Sequence, residues 1–127
     1  MELPETATGS ESGSEDYQMP KFMTIGYGER AGYDKISANA RAAAHANDDL
    51  LKRRGALMGI AGRPVQVRNP DAGGAETQQG AFMSSSLPVA GFALIEATDL
   101  AEAIELVSKS PCAVAHGVIE VWPFDEG

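Results

Sequence analysis

Two apolar segments suited to strands, residues 89–96 and 118–124, flank a stretch, residues 99–109, that carries helix signals, and this order constrains the fold more than any other feature. Asp99 stands just before Leu100, and Glu102 follows at the spacing of a capping box, in which each residue satisfies an otherwise unpaired backbone N–H of the first turn. Leu100, Ala103, Ile104 and Val107 recur at helical spacing and form the stripe expected to be buried, with Pro111 expected to mark the helix end. Strand, helix and strand over this distance predict a ββαβ or βαβ half of a small open sheet.

Upstream, Phe22-Met23-Thr24-Ile25-Gly26-Tyr27 is a run of strand formers that ends at Gly28 in a charged loop. Ser37 is placed to cap an alanine-rich helix that Gly55 terminates. Its expected stripe is Ala40, Ala43, Ala44, Leu50 and Leu51, flanked by Asn47, and such small side chains let the helix lie close to a sheet. Residues 56–61 and 64–68 suit one bent second strand or a strand broken at Gly62. Residues 69–74 are turn-forming, and residues 75–88 read as a long polar excursion.

The elements add up to an α+β domain of β-α-β-β-α-β order, a four-stranded antiparallel sheet with two helices on one face. Strand residues of both pleat directions are apolar, so the uncovered face is expected to pair with a second copy in a homodimer. Residues 1–19 hold Glu2, Glu5, Glu11, Glu15 and Asp16 and no Lys or Arg, the composition of a disordered acidic tail, with the folded domain at 20–127. Removing residues 1–18 is expected to leave folding intact.

Charge and cysteine usage exclude several classes. The formal net charge is -8, and the one basic cluster, Lys52-Arg53-Arg54, suits the last turn of a helix, so neither nucleic acid nor an anionic membrane is an expected partner. No apolar run is long enough to span a bilayer. A single cysteine, Cys112, cannot form an internal disulfide, and residues 1–5 lack the pattern of a secretory signal, which predicts a cytoplasmic protein.

The stretch from Pro20 to Phe124 resembles the YCII-related superfamily. The resemblance is carried by Lys21-Phe22-Met23, by residues 51–59 around the Arg-Arg-Gly turn, by residues 91–96 and 99–107, and by Gly117-Val118-Ile119-Glu120-Val121-Trp122-Pro123. Within it the chain is similar to the branch named for an Asp-Gly-Pro-Phe motif, to which the spacing from Gly80 to Gly91 also conforms. The resemblance implies a ferredoxin-like domain that dimerises into an α+β barrel. At the motif this chain has Gln79-Gly80-Ala81-Phe82, and Ser84-Ser85-Ser86 replaces a charged run. Neither glutamine nor serine titrates near neutral pH, so an acid or base role there does not carry over.

The resemblance further implies, for some members, enzymes acting on small cyclic or aromatic compounds, with a His-Asp pair in the name-giving branch. His45 and Asp49 lie one helical turn apart, a spacing that lets a carboxylate orient an imidazole as a general base. On the same face Arg41, Asp48 and Lys52 compose an ordinary solvated surface, so the pair also has a purely structural reading. His116, in the loop before the final strand, is the other catalytic candidate. Tyr27, Arg63, Ser84 and Ser86 are candidate substrate contacts, Arg63 as a binder of a carboxylate or phenolate. Neither histidine has Cys, Asp or Glu at metal-ligand spacing, and neither metal nor cofactor is expected. Cys112 reads as a packed small side chain. Two readings stand: a cofactor-free, isomerase- or lyase-like enzyme using His45 or His116, or a non-catalytic member that binds a small ligand or a protein partner.

Overall fold

The computed structural model of the protein describes residues 19–125. The segment expected as an acidic tail lies, apart from Met19, outside the described residues. In chain order the elements are β1 (Lys21–Tyr27), α1 (Arg30–Lys35), α2 (Ala38–Arg53), β2 (Leu57–Ile60), β3 (Val65–Arg68), β4 (Glu76–Gln79), β5 (Val89–Glu96), α3 (Leu100–Val107), α4 (Pro111–Val114) and β6 (Val118–Phe124). Strands β2, β5, β1 and β6 form, in that order, a four-stranded sheet with antiparallel neighbours throughout, an α+β arrangement consistent with a ferredoxin-like fold.

Alternation along the strands divides the sheet into two faces. Phe22, Thr24 and Gly26 of β1 lie opposite Ile95, Ala93 and Gly91 of β5 and Pro123, Val121 and Ile119 of β6, and this set faces the helices. Phe22, Ala93, Ile95, Ala97, Ala103 and Val107 form the buried core, with Met58, Leu106, Ile119 and Val121 packed against it. The other face carries Met23 and Ile25 beside Leu94, Phe92 and Trp122, and no element of the described residues covers it.

Local chemistry fixes the helix ends. The Ala40 N–H donates to Ser37 Oγ at 3.0 Å to start α2. At the other end Gly55 has φ 97°, its N–H donates to the Lys52 carbonyl and the Ala56 N–H to the Leu51 carbonyl, a Schellman closure that only a residue tolerant of left-handed backbone completes cheaply. The α3 box forms as the Glu102 N–H donating to Asp99 Oδ1 at 2.9 Å, while Glu102 reaches back to the Thr98 N–H at 2.7 Å, one residue earlier than in the usual box.

Five expectations need correction. Residues 56–68 form two strands in different sheets rather than one bent strand: β2 pairs with β5, whereas β3 pairs with β4 in a separate hairpin cut from the supposed polar excursion. The charged stretch after β1 is the short helix α1, and Pro111, instead of only closing α3, opens α4, where its fixed φ and missing N–H suit the first turn. On α3 only Ala103 and Val107 are buried, and Leu100 and Ile104 are exposed. On α2 the buried residues are Ala44, Asn47 and Leu51, while Ala43 and Leu50 face solvent. On α3 it is the small Ala103 that meets the sheet core beside Val107, which permits close approach there.

Candidate functional site

The covered face of the sheet has an unfilled patch. Gly26 and Gly91 are directly opposite each other on β1 and β5, so the sheet offers no side chain there, and the neighbouring Thr24 and Ala93 are small. Paired glycines weaken strand interiors and are tolerated where something must approach the backbone. A side chain at Gly91 would place its Cβ 2.7 Å from the Gly59 carbonyl oxygen, and one at Gly26 would stand 2.9 Å from Cys112 Sγ. Between this floor, α2 and α4 lies a cavity of ≈ 380 Å³. Leu51, Met58, Val107 and Ile119 give it apolar walls, and Ile60, 93% exposed, stands at its rim on the edge strand β2.

Polar groups enter the cavity from two helices: His45, Asp48 and Lys52 from α2, Ser110 and Cys112 from the α4 end. Positions i, i+3 and i+7 share one face of a helix, which brings the three α2 side chains together. His45 is held from outside, with Nε2 at 2.8 Å from the Tyr33 hydroxyl and the two rings edge-on at 5.9 Å. Tyr33 belongs to α1 and is clamped in turn by Arg41, whose guanidinium lies 5.0 Å above the ring and donates through Nε to the Tyr33 carbonyl.

Burial pushes the Asp48 carboxyl above the usual carboxylate range, and Asp49 adds to this, while His45, Lys52 and a hydrogen bond from Ser110 oppose it. Burial likewise raises the Cys112 thiol, helped by the nearby Asp48 charge, so Cys112 is a neutral, packed sulfur beside Gly26 and no thiolate nucleophile. The arrangement is an apolar slot with an imidazole, a carboxyl and an ammonium at one end, chemistry suited to holding a flat, mostly apolar molecule by one polar edge.

A family model described as the YCII-related domain matches residues 20–125. The chain belongs to the YCII-related domain family. The match runs from just before β1 past the end of β6 and so takes in every element that lines the cavity, with the hairpin besides. No curated protein matches the chain. Among the described residues of this YCII-related domain no group of three or more His, Cys, Asp or Glu is placed to hold a metal ion, and no helix is long and apolar enough to cross a membrane.

Of the catalytic and substrate-binding candidates named from the sequence, the cavity gathers His45 alone. The α2 carboxylate that lines it is Asp48, whereas Asp49, one residue on, is exposed and points off that face. His116 is exposed in the turn after α4, with φ 64°, and does not line the cavity. Tyr27 lies on the uncovered face, where its hydroxyl donates to Glu120 Oε1 at 2.8 Å, and that acceptor holds the phenol above its ordinary pKa. Trp122 Nε1 donates to the same oxygen at 3.4 Å. Arg63 is in the exposed link from β2 to β3, and Ser84 and Ser86 are exposed beyond the hairpin. Gln79 ends β4, paired with Val65. Tyr33, Asp48 and Ser110 were not picked out. Of these only Asp48 carried a signal, as the i+3 neighbour of His45.

Proposed function

We propose that the cavity binds a small cyclic or aromatic compound and moves a proton on it without a cofactor, an isomerase- or lyase-like activity with His45 and Asp48 at the polar end. The observation that carries this reading is the bare Gly26–Gly91 floor of a cavity that His45 and Asp48 also line. The cavity volume of ≈ 380 Å³ falls within the range of about 300–1,000 Å³ common for small-molecule sites. In the simplest such reaction a ligand C–H next to a carbonyl gives its proton to the protein base. The electron pair moves into the carbonyl to form an enolate, and in a ligand with a β,γ double bond the same proton returned at the γ carbon completes the shift of that double bond.

A panel of cyclic enones and lactones incubated with the protein in D2O tests this. The expected result is deuterium incorporation next to the carbonyl that is lost in His45→Ala and Asp48→Asn. Binding without exchange would favour the second reading, a non-catalytic ligand binder, which the amide Gln79 and the outlying Ser84 and Ser86 support. No binding at all would count against both small-molecule readings and leave the protein-partner form of the second.

The uncovered face is best explained by a second copy of the chain. Leu57, Phe92, Val118, Trp122 and Phe124 expose apolar surface across strands that share one sheet. A contiguous apolar face of this kind is costly in water, and face-to-face packing of two sheets would give the dimeric α+β barrel. The assignment to the Asp-Gly-Pro-Phe branch belongs to the same reading, and rests on Gln79-Gly80-Ala81-Phe82 keeping the spacing of that motif to Gly91. The free Cys112 suits a reducing cytoplasm.

A further inference from the structure

His45 lines the cavity from α2, but one of its two ring nitrogens is engaged outside it: Nε2 lies 2.8 Å from the hydroxyl of Tyr33, which does not line the cavity. The phenol is itself held from several sides. Arg41 sets its guanidinium 5.0 Å above the ring, donates through Nε to the Tyr33 carbonyl at 3.2 Å and through Nη2 to the Asp34 carbonyl at 3.2 Å. Arg30 brings a second guanidinium to 5.9 Å from the same ring and is tied to Asp34 Oδ1 at 3.1 Å. Cations over a phenol draw electron density from it, which makes the O–H a better donor and the oxygen a poorer acceptor. Tyr33 therefore donates and Nε2 accepts. In a neutral imidazole one nitrogen carries the proton and the other accepts, and the hydrogen bond made by one fixes the state of the other. The His45 proton is then on Nδ1, which has no hydrogen-bond partner among the described residues and is the ring nitrogen left for the cavity.

We propose that Tyr33 and Arg41 are positioning residues that hold His45 in its Nδ1–H form, so that the cavity is offered a hydrogen-bond donor at that end and takes ligands with an acceptor oxygen, such as a ring carbonyl, there. This differs from the general base that an imidazole next to a carboxylate suggests. The basic nitrogen, Nε2, is turned to the phenol, and Nδ1 already carries its proton. A donor set in place before the ligand arrives stabilises negative charge on a carbonyl oxygen without reorganising at the moment it forms. His45 thus keeps its proton throughout the shift, and the proton of the ligand C–H is left to Asp48, three residues on along the same cavity wall. The donor role rests on the cavity reading above, but the state of the ring is read without a ligand.

The test is the two-bond 1H–15N correlation spectrum of the imidazoles in the 15N-labelled full chain, recorded at alkaline pH, where neutral rings prevail. The chain has two histidines, and His116→Asn, at an exposed turn whose φ of 64° asparagine tolerates, assigns the signals. His45 is expected in the Nδ1–H form. Tyr33→Phe, which keeps the ring beneath Arg41 and removes only the hydroxyl, is expected to return it to the Nε2–H form that free histidine favours in water, and Arg41→Met to move it the same way by less. An Nε2–H ring in the unmodified protein overturns the proposal, as does a ring whose state ignores Tyr33→Phe in the folded variant. A merely structural Tyr33 would change stability and leave the ring as it was. For a cyclic enone that binds, Tyr33→Phe is expected to weaken affinity about 3- to 10-fold, the worth of one hydrogen bond, although Tyr33 does not touch the cavity. Unchanged affinity would overturn the donor role. If the ring behaves as stated and no compound of the panel binds, the positioning survives and the ligand reading falls.

Discussion

The two faces of the four-stranded sheet come from alternate residues of the same strands, yet they meet opposite conditions. On the covered face the central positions are Gly26, Thr24, Gly91 and Ala93, and the helices that should fill that side leave a cavity instead. On the uncovered face the side chains are large, Trp122 and Phe92 about half exposed and Leu57 73% exposed, with nothing above them. A chain optimised only for a monomeric core would exchange these assignments, placing bulk under the helices and small or polar residues in water. The inversion divides the sheet: the covered face gives up packing and leaves a cavity, and the uncovered face keeps apolar area that the proposed dimer would bury.

Breaking the covered face away from its cavity should have the largest effect. Ile95, 2% exposed and next to Phe22 across the strands, anchors the filled part of that face, and Ile95→Ala is expected to cost about 2–5 kcal/mol in denaturant unfolding. Trp122→Glu, combined with Phe92→Glu, should leave the covered face folded and weaken self-association by about 2–4 kcal/mol, read by sedimentation. If the wild type sediments as a stable monomer at micromolar concentration, the contrast between the faces needs another cause. Gly26→Val drives branched carbon into the cavity and against Cys112, which should cost about 1–3 kcal/mol and abolish binding of any panel compound. A variant that binds as well as wild type would move the ligand elsewhere.

The smallest expected effect is the sign of a pH dependence. The folded state raises the Asp48 pKa, so within the window between its ordinary and its raised value the folded protein holds more proton than the unfolded chain. Stability therefore falls as pH rises through that window and is flat above it, as far as Asp48 is concerned. Asp48→Asn, which removes the titrating group at nearly unchanged volume, should lose this slope and be at least as stable as wild type above the window. A steeper fall in the variant, followed by thermal melts across pH, would show that the buried carboxylate is stabilising after all.

How much of this was legible follows from where each signal resides. Ser37 with Gly55, and Asp99 with Glu102, announce α2 and α3 because caps are local, and the runs of strand formers give β1, β5 and β6. The β3–β4 hairpin escaped because Glu-Thr-Gln-Gln has no apolar alternation to mark it, and α1 because six residues cannot display a period. Asp49 drew attention at i+4 from His45, but only the register that sets Gly26 against Gly91 determines which side of α2 overlooks a hole, and that selects Asp48. Ser110 carried a misleading signal, since serine before proline reads as an ordinary cap and the pull of Asn47 is long-range.

Amide mapping of the 15N-labelled protein with the cyclic enone and lactone panel tests the central contrast most directly. The account expects saturable shifts concentrated at Gly26, Gly91, Ser110 and Cys112, on the covered face. Shifts confined to the Trp122 indole and to Phe92, with those four amides unmoved, would contradict it.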